Sequence, residues 1–167
     1  MSHDAREAVN VRQLYTEEER ERRDASVWTI VQGILAPLQF LAFIVSTILV
    51  WRYLDAGVGA EAATISVVVK TMFLYAIMVT GAIWERDVFG QYLFARPFFW
   101  EDVVSMLVMA LHTAYLVVMA FGLLPLVEQL YLALVAYLAY VINAAQFLIK
   151  FRLARIQTPE RAMAVSR

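Results

Sequence analysis

The chain has 167 residues, 62% of them hydrophobic and only 17% charged, with a mean hydropathy of +0.64. Soluble domains lie nearer half apolar and a quarter charged, so this composition marks an integral membrane protein. With no cysteine, disulfides, Cys-ligated zinc, iron–sulfur clusters and thiol catalysis are excluded; the net charge of -1 says little, because the charges are segregated, and no nucleic-acid partner is expected.

In chain order, residues 1–26 form a charged segment, acidic and basic together. That is unlike the short basic start of a signal peptide, and no cleavage is expected. Within "LYTEEERERRDASVW", Thr16 and Glu19 have capping-box spacing, and the mixed charges suit a solvated helix. Four apolar runs follow, at about 27–51, 62–84, 101–123 and 127–149, each near the 20 residues a bilayer crossing needs. The first holds Pro37, which lacks an amide donor and should kink its helix. The links "RYLDAGVGAEAA" and "GLLPLVEQ" are short, so the predicted fold is an all-α, antiparallel four-helix membrane bundle. A basic tail, 151–167, closes the chain and should face anionic headgroups.

Basic residues set the predicted direction. Arg6, Arg12, Arg20, Arg22 and Arg23 precede the first span. Arg86 and Arg96 lie in the second link, and Lys150, Arg152, Arg155, Arg161 and Arg167 at the end. The opposite side has only Arg52, so the positive-inside rule places both termini in the cytoplasm.

The second link, "WERDVFGQYLFARPFFW", is the most informative region. It carries Trp84, Phe89, Tyr92, Phe94, Phe98, Phe99 and Trp100. These form either an interfacial aromatic belt or an apolar slot for a flat ligand. Glu85 ends the second span, while Glu101 and Asp102 open the third. Two readings of these acids stand side by side. Carboxylates suit a helix N-terminus through its dipole. Desolvation among aromatic rings instead favours a neutral carboxyl, the condition for a general acid.

In the third span, Glu101, Ser105, His112 and Tyr115 lie within about 40° of one direction, a stripe that should turn inward. His112 could ligate a metal through neutral imidazole or hydrogen-bond a neighbouring helix. Gln32, Gln39, Asn143 and Gln146 suit interhelical hydrogen bonding, with Asn143 also a candidate substrate contact. Lys70 could snorkel to the non-cytoplasmic interface, the favoured reading, or pair with a group across the bundle, and Gly81 is expected to allow close helix contact. No phosphate loop, HExxH pair or GxSxG elbow appears. Of the two histidines, His3 lies in the tail, so a catalytic metal held by several protein ligands is not expected.

The stretches "RRDASVWTIVQGILAPLQF", "VVVKTMFLYAIMVTGAIWE", "FGQYLF", "FFWEDVVSMLVMALHTAYL" and "YVINAAQFLIK" resemble the 2-vinyl bacteriochlorophyllide hydratase family, over about Leu14 to Arg155. The resemblance implies a multi-pass protein of a bacterial inner membrane. It also implies a hydro-lyase that adds water to the 3-vinyl group of a chlorophyllide to give a 3-(1-hydroxyethyl) group. No cofactor is required, since magnesium is carried by the substrate macrocycle. On that premise Glu101 is the expected proton donor, with Asp102 or Glu85 positioning water. Phe99, Trp100 and Tyr92 would contact the ring, and Arg86 or Arg96 the propionate. His112 is a candidate axial ligand to the substrate's magnesium. Expected partners are the pigment, the bilayer, a second copy of the chain and other enzymes of bacteriochlorophyll synthesis. The alternative is a non-enzymatic tetrapyrrole-binding or assembly protein of the photosynthetic membrane.

Overall fold

The capping box forms as its spacing predicts. Thr16 Oγ1 accepts from the Glu19 amide at 3.2 Å, and the Glu19 carboxylate accepts from the Thr16 amide at 2.7 Å. Together they open α1 (Glu17–Ala25). The computed structural model describes residues 14–165, with side chains placed through Arg152. His3, Arg6, Arg12 and Arg167, and the side chains of Arg155 and Arg161, therefore lie outside the described residues.

Ser26 separates α1 from α2 (Val27–Ala56) and caps the second helix, accepting from the Trp28 amide at 3.3 Å. Helix α2 continues through Pro37 and stops at Gly57, whose φ of 69° is a left-handed geometry that glycine adopts without steric cost. Helix α3 (Ala60–Phe89) runs past Trp84 and Glu85, so part of the expected link is helical, and ends at Gly90 with φ 81°. Then come α4 (Phe99–Ala120) and α5 (Leu126–Val165). Four helices among the described residues are long and apolar enough to cross a membrane: α2, α3, α4 and the Leu126–Arg152 part of α5.

Burial inverts the soluble pattern. Ile34, Ile48, Val79, Leu107, Leu138 and Leu148 are exposed, whereas Ser46, Lys70, Thr71, Ser105 and His112 are buried. Hydrocarbon accepts the first set, and the second must find partners inside. The predicted stripe of Glu101, Ser105, His112 and Tyr115 is buried along its whole length.

The helices pack most closely as two pairs, α2 with α3 and α4 with α5. In the first pair Trp84 Nε1 donates to Thr29 Oγ1 at 2.9 Å, Gln32 Nε2 to Thr80 Oγ1 at 2.6 Å, and Ser46 meets Ser66 at 2.8 Å. Gly81 faces the Gln32 side chain at ordinary contact distance. In the second pair, Ser105 Oγ donates to Asn143 Oδ1 at 3.1 Å. Long side chains fill the seam between the pairs. Ser46 and the Tyr137 hydroxyl are 2.5 Å apart, and Phe43 packs on Tyr137 and Tyr140 with centroids at 5.5 and 5.1 Å.

Lys70 overturns the favoured of its two readings and takes the other, a partner across the helices. Rather than reaching an interface, it is fully buried in this seam, its Nζ 2.5 Å from His112 Nε2. The Tyr140 and Tyr137 rings lie 4.2 and 5.0 Å away. His112 Nδ1 is 2.8 Å from the Val108 carbonyl, which can only accept, so Nδ1 donates and Nε2 is left to accept from Lys70. An internal acceptor and two ring faces give the amine a site that snorkelling would otherwise supply.

This arrangement yields an asymmetry between two variants. His112→Leu strands the Lys70 amine without its acceptor and should cost about 3 kcal/mol, whereas Lys70→Met replaces it with apolar volume and should cost less. Unfolding titrations in mixed micelles read both; equal losses would mean that the pair does not hold the seam.

Candidate active site

At one end of the bundle, called the rim here, α3 hands over to α4 through residues 90–98. Gly90 stops α3, and four residues later Phe94 takes φ 61°, the one positive φ at a non-glycine position among the described residues. A left-handed phenylalanine costs about 1–2 kcal/mol, so its surroundings must impose it. Here two consecutive amides are aimed at two acids. The Phe94 N–H donates to Asp102 Oδ2 at 2.7 Å, and the Ala95 N–H donates to Glu85 Oε2 at 3.1 Å. Glu85 comes from the last turns of α3 and Asp102 from the first turn of α4. Both are buried, at 5% and 3% exposure, and their carboxyls are close enough to interact directly.

Glu101 lies one residue away but in a different setting. Its carboxylate pairs with Lys150 Nζ on α5 at 2.5 Å, and the same ammonium donates to the Pro97 carbonyl. Asn143 Nδ2 donates to the Glu101 backbone carbonyl at 2.9 Å, while its Oδ1 accepts from Ser105. Helix α5 is thus stapled to the first turn of α4 by two side chains two turns apart. Neither Glu101 nor Asp102 caps an amide of its own helix; any dipole benefit comes without a capping bond.

The aromatic residues of the link divide into two sets. Trp84, Phe89 and Phe98 turn inward with Phe147. Phe98 packs edge-on to Trp84 at 5.6 Å and stacks on Phe147 at 5.9 Å. Tyr92, Phe94, Phe99 and Trp100 stay exposed, Trp100 at 70%. Phe94, Phe99 and Trp100 touch in series, with centroids at 5.7 and 5.5 Å. This outer ledge adjoins the acids directly, because the backbone of Phe94 binds Asp102 while its ring joins the ledge. Arg86 donates to the Tyr92 hydroxyl and lies over its ring at 4.7 Å; Arg96 is exposed nearby in sequence.

The structure therefore brings together Glu85, Asp102, Phe99 and Trp100, places Glu101 with Asn143 and Lys150 beside them, and puts Arg86 with Tyr92. It does not bring His112 to the rim. Both ring nitrogens of His112 are engaged, so neither is free for a metal, and the residue is fully buried.

Sequence reading missed Tyr15 and Lys150 as parts of this region. Tyr15 stacks on Phe89 at 5.8 Å and 11°, beside Phe98, with Arg23 over its ring at 4.9 Å. Burial pushes its phenol up to about 12, with Arg23 lowering it in part, so it stays protonated at physiological pH. A tyrosine before a capping box is the hydrophobic-staple position, a signal that announced packing but not the packing partner.

Comparison with known proteins bears on this site. A family model described as 2-vinyl bacteriochlorophyllide hydratase matches residues 15–153. A protein of Rhodobacter capsulatus named 2-vinyl bacteriochlorophyllide hydratase is 66% identical over 144 residues, covering 86% of this chain and 84% of that one. A protein of the same name from Cereibacter sphaeroides is 63% identical over 145 residues, covering 87% and 90%. No solved structure matches.

The Lys150 staple has a measurable consequence. Lys150→Met leaves the Glu101 carboxylate in a largely apolar setting without its counter-charge and should destabilise the fold by about 2 kcal/mol. Thermal unfolding in detergent checks this, and restoring stability with a second change, Glu101→Gln, would tie the loss to the stranded charge.

Proposed function

The chain belongs to the 2-vinyl bacteriochlorophyllide hydratase family, a hydro-lyase of bacteriochlorophyll synthesis, and we propose that Glu85 and Asp102 are the acid and base of its reaction. The observation that carries this reading is the pair itself. Two buried carboxyls come close enough to interact, each held by one amide of the Phe94–Ala95 turn. Two negative charges that close in a dry setting repel strongly, so the pair holds one proton between them. One member is then a donor and the other an acceptor at the same place.

The step balances without redox chemistry. The shared proton moves to the terminal carbon of the 3-vinyl group, and the vinyl π electrons form the new C–H bond. The inner carbon is left cationic and is stabilised by delocalisation into the macrocycle. Water attacks that carbon through an oxygen lone pair, forming the C–O bond of the 1-hydroxyethyl group. Its surplus proton returns to the carboxyl pair, which regains its starting state. The cation forms beside a net negative carboxyl pair, which stabilises it electrostatically.

Binding falls to the outer ledge. The Phe94, Phe99 and Trp100 rings offer an apolar face to a flat macrocycle, and Tyr92 extends it toward Arg86. Arg86 and Arg96 would hold the free propionate. The substrate brings its own magnesium, and the steps above use no protein-bound cofactor. Glu101 moves from the donor role expected of it to a positioning one, because its carboxylate is engaged by Lys150 on α5. The same reading completes the topology as an antiparallel bundle in the bacterial inner membrane, both termini and the rim on the cytoplasmic side, by the basic-residue asymmetry.

Glu85→Gln and Asp102→Asn should each lower hydration of a 3-vinyl chlorophyllide by about 100-fold or more while pigment binding persists. Glu101→Gln should cost much less. Loss of the vinyl from conjugation shifts the pigment's absorption to the blue, which gives a direct assay in membranes. Near-normal turnover by folded Glu85→Gln protein would remove the pair from the mechanism.

A further inference from the structure

The reaction has a second substrate, water, and it must arrive in a region of rings and apolar helices. Five side-chain amides lie in the spans, and three are plainly accounted for, Gln129 by donating to the Leu124 carbonyl at 2.8 Å. Gln32 bonds Thr80 and the Ile77 carbonyl, and Asn143 bonds Glu101 and Ser105. Gln39 and Gln146 differ. Gln39 is a buried residue, 3% exposed, whose amide is outside the hydrogen bonds that join the helices. The Gln146 Oε1 is buried without a hydrogen-bond partner. A buried amide oxygen without a partner, as at Gln146, loses roughly 1–3 kcal/mol, and in hydrocarbon no bulk solvent is at hand to repair it.

Helix register places the two at neighbouring depths. Phe43 on α2 packs on Tyr140 on α5, with centroids 5.1 Å apart. From that contact toward the rim, Gln39 lies four residues along α2, about 6 Å. Asn143 and Gln146 lie three and six residues along α5, about 4.5 and 9 Å. Gln39 thus falls between them in depth. Asn143 and Gln146 are also i,i+3 neighbours, on adjoining sectors of one helix face. Asn143 touches the first turn of α4 at Glu101, the residue before Asp102.

Building on the acid–base reading of Glu85 and Asp102, we propose that Gln39 and Gln146 hold the water that the reaction consumes, on the interior side of the carboxyl pair. The ligand class follows from the donors. A carboxamide presents one N–H face and one carbonyl face and carries no charge, which suits a neutral molecule that both donates and accepts. An anion or a metal ion would call for charged partners. Water held there would reach the inner vinyl carbon from the protein side while the macrocycle lies on the outer ledge, so the two substrates approach from opposite faces of the acid pair.

Deuterium separates delivery of water from delivery of the proton. In D2O a carboxyl deuteron adds to the terminal vinyl carbon. If water does not capture the cation, loss of a proton from that carbon returns vinyl substrate labelled with deuterium. Mass spectrometry of recovered substrate and product therefore reads exchange against hydration. Gln39→Leu and Gln146→Leu should lower hydration about tenfold or more while exchange persists, raising the exchange-to-hydration ratio by the same factor. Gln39→Asn, which keeps an amide, should recover part of the loss. An unchanged ratio in folded variants overturns the water site, as does an equal fall in exchange and hydration, which would mark a role in folding or pigment binding. Should Gln39→Leu not fold, Gln39→Met and Gln146→Met give the same reading at conserved length. Separately, exchange that survives in Glu85→Gln and Asp102→Asn would overturn the acid pair, whatever the glutamines do.

Discussion

In hydrocarbon, each polar group needs a partner supplied by the protein, and this constraint accounts for most of the architecture. Lys70 and His112 solve it in the seam by meeting across two helices, between the rings of Tyr137 and Tyr140. Ser46, Ser66 and Tyr137 solve it with hydroxyls that both donate and accept. At the rim the problem is harder, because three carboxyls converge within the buried region. Glu101 is satisfied by an ammonium, and Glu85 and Asp102 by backbone amides and each other. The acids thus differ in their partners, and the proposed acid–base role of Glu85 and Asp102 rests on that difference.

The strained Phe94 follows from the same constraint. Turning φ to 61° aims the Phe94 and Ala95 amides at carboxyls from two different helices. An extended backbone would send successive amides to opposite sides. The local cost is repaid only while both acids are in place, so the turn and the pair support one another. Around them, Trp84, Phe89, Phe98 and Phe147 form a packed layer, and Tyr15 covers it from the N-terminal segment. Ser26, Asp87, Thr29 and Trp84 tie that segment to α3 through hydrogen bonds at 2.8 and 2.9 Å.

The fold was largely legible in the sequence because hydrocarbon imposes length and polarity limits that one chain displays openly. The four apolar runs, the Thr16–Glu19 cap and the inward stripe of the third span all rest on local spacing. What sequence could not give was pairing between helices. Lys70 could be read as snorkelling or as paired across the helices because its partner lies 42 positions away, and Lys150 looked like one more basic residue of the C-terminal end. Glu101 stood out as an acid at a helix start, yet its ion pair with Lys150, 49 positions away, was not visible. Phe94 gave no warning either, since the tertiary pull of two acids, rather than any residue preference, sets its backbone.

The split of the link aromatics also bears on how the pigment arrives. The inner rings are fully committed: Phe98 is buried against Trp84, Phe89, Tyr15, Phe147 and Phe151, and a macrocycle could enter there only by dismantling the layer that supports the acids. The outer rings need no such rearrangement, because Phe94, Phe99 and Trp100 already present their surface outward. Their position at the first turn of a spanning helix is where amphipathic rings meet the headgroup region. A flat apolar pigment with one charged propionate partitions to the same depth, ring in the acyl boundary and carboxylate in the polar layer. On the reading proposed above, docking on the ledge is lateral movement within the membrane rather than transfer through water. The link aromatics thus divide into inner rings that pack beneath the acid pair and outer rings that, on the proposed reading, are the face open to the pigment.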